Sequence, residues 1–180
     1  MTKSSNRFDW CWPLAYPATE TLPYEAAHPG AFGARRRYDV HTGVDLYAQV
    51  AEDVFACEDG AVVTVEDFTG PKAGSSWWHD TQAILVEGET GVILYGEVVP
   101  LVKVGERVVR GQLIGRVARV LRTDKGRPLS MLHVELYTHG TRASVVWSLG
   151  GDRPNQLRDP TFLLAWAERS HSEGTSIESR

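Results

Sequence analysis

Hydrophobic positions in this chain mostly alternate rather than recur every three or four residues. From Met131 to Tyr137 the alternation is clean. Met131, His133, Glu135 and Tyr137 fall on one side of an extended chain, and Leu132, Val134 and Leu136 on the other. Ala61 to Phe68 is rich in β-branched residues, and Ala83–Val86 and Val92–Tyr95 pair as a hairpin across Glu87–Gly91. Arg107–Val109 and Leu113–Gly115 flank a corner at Arg110-Gly111-Gln112. These short runs, between Tyr38 and Tyr137, predict a mainly β, antiparallel fold with glycine corners. One helix is predicted near the C-terminus. Asp159 is its N-cap and Pro160 its first helical residue, ahead of Phe162, Leu163, Leu164 and Trp166.

Residues 1–39 carry neither period and are expected to form an irregular N-terminal arm, with Phe8, Trp10, Trp12 and Tyr16 packing onto the domain. Residues 40–168 form the β-domain with its short C-terminal helix. Residues 169–180 are small and polar, and a flexible tail is expected there. The loop over 69–80 contains Trp77-Trp78-His79-Asp80. Adjacent tryptophans in a loop read either as a recognition element at the rim of the scaffold or as a local hydrophobic cap.

A length of 180 residues suits one domain with a core of its own. The net charge of −4 gives no electrostatic case for nucleic acid. The triplet Arg35-Arg36-Arg37 is too short for a binding tail and reads as a solvated loop or part of a recognition surface. No apolar run approaches a membrane span, and no basic-then-apolar export signal opens the chain, so a cytoplasmic protein without membrane partners is the expectation. Cys11 and Cys57 lack a Cys-x-x-Cys arrangement and are poor metal ligands. Nothing in the composition fixes an oligomeric state.

The candidate chemistry lies in His41-Thr42-Gly43-Val44-Asp45 and in His133. Two imidazoles and a carboxylate form the donor set of an open zinc site, which leaves one position for water or substrate. Residues i and i+4 of a straight strand stand ~13 Å apart. The segment must therefore bend, and Gly43 is the residue that permits it.

The ordered motifs resemble those of the lysostaphin and LytM-type zinc metallopeptidases, the duplicated hybrid motif fold. The resemblance runs through His41–Leu46, Val54–Val62, Val92–Glu97, Val104–Gly115 and Leu132–Leu136. It implies a glycine-rich antiparallel β-sheet groove, a barrel-sandwich hybrid, with His41, Asp45 and His133 as zinc ligands and a peptide-like substrate. The Gly111-Gln112 stretch also resembles carrier and phosphotransfer β-domains, but no modifiable lysine hairpin accompanies it.

The chain departs from the pattern twice. Tyr95-Gly96-Glu97 stands where the family has Y-x-H, and Met131-Leu132-His133 where it has H-x-H. The two histidines that the resemblance assigns to catalysis are thus absent, which makes this a divergent member with a degenerate site. Glu97 is read as a replacement general base, with a fourth metal ligand and a surface glutamate as alternatives. Met131 is expected to wall the site. Trp78, His79 and Tyr95 are expected at the substrate, with His79 as a replacement imidazole. Glu135 shares a face with His133 and is expected to orient a ligand. The expected function is a zinc-dependent peptidase-like hydrolase acting on peptide or amide bonds. The alternative is a catalytically inactive zinc-containing binding or regulatory domain of the same fold.

Overall fold

The computed structural model describes residues 10–16, 22–23, 25, 27–123 and 128–177, with side chains to residue 172. Its strands are β1 (Asp39–Val40), β2 (Val44–Tyr47), β3 (Asp53–Phe55), β4 (Gly60–Thr69), β5 (Thr81–Gly88), β6 (Val92–Pro100), β7 (Arg107–Val108), β8 (Leu113–Val117), β9 (Met131–Tyr137), β10 (Trp147–Ser148) and β11 (Leu157–Arg158). One helix, α1, covers Thr161–Ile177. The fold is mainly β. The central sheet runs β11-β9-β6-β5-β4-β7, with β2 also on β9 and β8 joining β6 to β3. Every registered pair is antiparallel, and the described strands close no barrel.

The period-2 pattern works because both faces of the sheet are covered. Ile84, Val86, Ile93, Tyr95, Leu132, Val134 and Leu136 face one core, which Trp10, Trp12, Leu14, Leu22 and α1 close. Ala83, Leu85, Val92, Leu94 and Tyr137 face a smaller core, covered by Phe32, Phe68, Val145 and Trp147. The second face carries the candidate site residues. On β9 it presents His133 and Glu135, and on β2 it presents Asp45, directly opposite His133.

The arm is ordered differently from expectation. Trp10 and Trp12 are buried, and Leu14 bridges Val54, but Tyr16 is 70% exposed and does not pack. Phe8 lies outside the described residues. Arg35 pairs with Val40, and β1 pairs with β10. The helix α1 runs to Ile177, and Asp159 Oδ1 accepts from the Thr161 amide at 2.8 Å. Leu163, Leu164 and Ala167 anchor the helix in the core, and Arg169, Ser170 and Ser172 are exposed.

Candidate metal centre

Three side chains converge where β2 meets β9. His41 Nε2 lies 3.0 Å from His133 Nδ1 and 3.2 Å from Asp45 Oδ1, and His133 Nδ1 lies 2.8 Å from Asp45 Oδ1. His41 precedes β2 in irregular chain, so the His41–Asp45 segment bends as its spacing requires. Gly43 enables this by close approach rather than by an unusual φ. A Cβ there would stand 2.4 Å from Val134 O and 2.7 Å from His133 Nε2.

Each imidazole has its distal nitrogen occupied. His41 Nδ1–H donates to Ala31 O at 2.8 Å, which leaves Nε2 with its lone pair toward the cluster. His133 Nε2–H donates to Glu135 Oε1 at 2.9 Å, which directs Nδ1 inward. Glu135 is in turn held by the Thr42 and Tyr137 hydroxyls. Arg36 Nη2 donates to the second oxygen of Asp45 at 2.7 Å, so only Oδ1 faces the histidines. Three donor atoms at one vertex, each backed by a hydrogen-bond partner, form a site able to hold a cation.

The charges fit that reading. Desolvation would raise the Asp45 carboxyl, but the charges and hydrogen bonds of His41 and His133 outweigh it and hold the group well below the usual range. Burial pulls His41 down. Desolvation also opposes a proton on His133, yet the hydrogen bonds to Asp45 and Glu135 lift it to about 10. A metal entering here must therefore displace a proton from His133.

Glu97 completes the arrangement through a local break in strand geometry. Opposite β5 the pairing runs Ile84↔Tyr95 and then Gln82↔Val98, so β6 carries one extra residue. Glu97 occupies this bulge at φ 64°. Strict alternation would send Tyr95 and Glu97 to the same face. The bulge instead leaves Tyr95 in the core and turns Glu97 into the cavity that His41 and His133 line. Glu97 is 7% exposed, and its Oε2 is the buried side-chain polar atom without a hydrogen-bond partner among the described residues. Burial first, and the Asp45 charge second, push its carboxyl up to about 8. A left-handed backbone costs about 1–3 kcal/mol at a non-glycine residue and is retained chiefly at functional positions.

The cavity measures about 190 Å³. Phe68, Trp78, Val145 and Trp147 supply apolar wall, and Phe68 lies 5.3 Å from the His133 ring. Gly96 makes room for that ring, since a Cβ there would meet Phe68 Cε1 at 2.6 Å.

Of the residues expected at a substrate, Trp78 lines this cavity. His79 does not; it lines a separate depression with Val50, Val99 and Arg119, because its amide is tied to Val120 O. Tyr95, expected at the substrate, lies elsewhere. It is fully buried on the opposite face, and its hydroxyl accepts from the Cys57 amide at 2.7 Å, so it cannot touch a substrate in the cavity. Met131 is buried opposite Tyr47 and is not among the residues lining the cavity. Sequence reading missed Arg36, Thr42 and Tyr137. The last was legible from parity with His133 and Glu135, and Thr42 from its place inside the His41–Asp45 motif. Arg36 was hidden in a triplet that reads as solvated surface.

A structure described as a peptidase M23 from Pseudomonas aeruginosa is 17% identical, at a TM-score of 0.51, over 89% of this chain and 51% of that one. A zinc containing peptidase from Vibrio cholerae is 22% identical, at a TM-score of 0.50, over 81% of this chain and 41% of that one. The chain thus spans about half the length of these relatives or less, and the likeness shows the fold. The catalytic domain of lysostaphin from Staphylococcus simulans is 20% identical over 70% of this chain and 80% of its own, at a TM-score of 0.46. No curated protein matches. The model of peptidase family M23 matches residues 39–145, more than half the chain, and the protein belongs to that family.

Proposed function

We propose that this protein is a zinc-dependent peptidase-like hydrolase in which His41, Asp45 and His133 hold the metal and Glu97 acts as general base. One observation carries the reading: Glu97, held on a bulge and with one buried carboxylate oxygen unpartnered, lines the same small cavity as His41 and His133, two of the three convergent donors.

The donor set fits zinc. Two imidazole nitrogens and one carboxylate oxygen are its ordinary partners, at ~2.0–2.2 Å in tetrahedral geometry. Ligands so arranged stand ~3.3 Å apart. The 2.8–3.2 Å separations here need only a slight expansion. When bound, zinc would polarise a scissile carbonyl and make water acidic near neutral pH.

The chain's own residues do the rest. Glu135 and Ala31 O fix the two imidazole tautomers. Phe68 and Trp147 help exclude bulk water, which strengthens the charges inside. Glu97 Oε2 receives the proton of the attacking water and returns it to the leaving amine. A proton relay of this kind contributes about 10²–10⁴-fold. A dication nearby would favour the ionised form of Glu97, countering the burial that raises it in the metal-free protein. The substrate is a peptide or similar amide, as the family implies.

The second reading is an inactive zinc domain in which Glu97 closes the site as a fourth ligand. It is favoured by the absence of histidine at 97 and 131. Hydrolysis of a panel of glycine-rich peptides and peptidoglycan fragments by the zinc-loaded protein separates the two. Turnover abolished by Glu97→Gln, with zinc retained, supports the base. Zinc bound without turnover on any member of the panel overturns the hydrolase.

A further inference from the structure

The segment 29–36 lies upstream of the residues that the family model matches, yet it wraps the candidate metal centre. Three successive backbone carbonyls serve the site. Pro29 O accepts from Arg36 Nε and Nη2 at 3.3 and 3.0 Å. Gly30 O accepts from the Asp45 amide at 2.9 Å, and Ala31 O from His41 Nδ1 at 2.8 Å. The return contacts are as regular: His41 N donates to Ala34 O, and Gly33 N to His41 O, both at 2.9 Å. A turn closed by Arg36 N to Asp39 O brings the Arg36 side chain back over Asp45. There Nη2 donates to Asp45 Oδ2 at 2.7 Å while the same guanidinium stays clamped to Pro29 O.

We propose that Arg36 is a positioning residue of the metal centre, held by the 29–36 collar so that Asp45 offers one oxygen, Oδ1, to the ion. The proposal rests on the reading that His41, Asp45 and His133 bind zinc. The chemistry is specific to a planar fork. Arginine reaches a carbonyl and a carboxylate at once from one rigid planar fork, whereas lysine is a point charge whose donors rotate on a flexible stem and fix no angle. With Oδ2 engaged, the carboxylate cannot rotate to chelate through both oxygens, and the cluster keeps a position for water or substrate. A guanidinium also repels a dication. That repulsion is blunted, because the side chain is 34% exposed and already paired with the carboxylate. The triplet thus divides its labour: Arg36 faces the site while Arg37 lies over the Tyr38 ring, 5.2 Å from its centroid.

The test uses the full chain, stripped of metal by chelator, as wild type, Arg36→Gln and Arg36→Lys. Zinc affinity is measured by competition with a chromophoric chelator, coordination by the visible spectrum of the cobalt-substituted protein, and folding by the thermal midpoint without metal. Removing an outer partner of a metal ligand typically weakens binding about 10–100-fold. That loss is expected for Arg36→Gln, with a weaker cobalt band as Asp45 turns bidentate and the ion becomes five-coordinate. Arg36→Lys should fall between, and it decides the matter if the glutamine variant does not fold. Wild-type affinity and an unchanged cobalt spectrum in both variants, or tighter binding, overturn the positioning role. A wild type that takes up no zinc overturns the centre itself, and the role with it.

Discussion

Replacing Glu97 by glutamine should change how stability depends on pH, in a direction the structure dictates. In the metal-free fold the carboxyl is raised from its ordinary 4.5 to about 8, by burial and by the charge of Asp45. Between these values the unfolded chain has lost the proton and the folded one retains it. The folded state therefore binds more protons, and stability falls as pH rises from 4.5 to 8. At about 1.4 kcal/mol for each pKa unit the full effect approaches about 5 kcal/mol. Water entering the cavity relieves part of the desolvation, so this is an upper bound. Glutamine resembles the protonated acid in shape and cannot ionise. The variant should match wild type near pH 4.5 and become more stable above pH 8, the difference growing steadily between. Urea unfolding of both proteins in chelator, across that pH range, gives the difference curve, in which other titrating groups largely cancel. Parallel curves, differing by less than about 1.4 kcal/mol at pH 8, would refute the reasoning. Such a result would mean that Glu97 is solvated and that the bulge does not confine it.

Other outcomes follow from the same geometry. Gly43→Ala should destroy the metal centre while sparing the opposite core, because its Cβ would meet Val134 O at 2.4 Å and Glu135 Cγ at 2.9 Å; loss of zinc uptake, with about 1–3 kcal/mol of destabilisation, checks it. Tyr95→Phe should cost about 1–3 kcal/mol by leaving the buried Cys57 amide without its acceptor, and leave zinc affinity and any peptide turnover unchanged. Zinc binding at pH 7 should release about two protons, from His133, which titrates at about 10, and from Glu97, at about 8. Calorimetry in buffers of different ionisation enthalpy counts them, and a release near zero would contradict the assigned protonation states.

What was legible in the sequence was what period and spacing encode. The alternation of β9 sets His133 and Glu135 on one face, and the distance limit on a straight strand forces the bend between His41 and Asp45. The positions of Glu97 and Tyr95 were not legible, because alternation assigns them to one face. The bulge that parts them arises from the register of β6 against β5, which no local pattern announces. The collar was illegible for a different reason. Its contributions from Pro29, Gly30 and Ala31 are backbone carbonyls, which have no side-chain signature, and they make the supposed arm part of the site. The helical span beyond residue 168 carries no apolar period to announce it, because small polar residues disfavour but do not forbid continuation once the first turns are packed.

Three convergent side chains that form one metal centre should bind one ion together. The most direct test is the zinc stoichiometry of the metal-stripped chain, titrated against a competing chelator beside Asp45→Ala and His133→Ala. One tightly held zinc per chain is expected, lost in both variants. Absence of zinc uptake by the wild type, or undiminished binding in the variants, would contradict it.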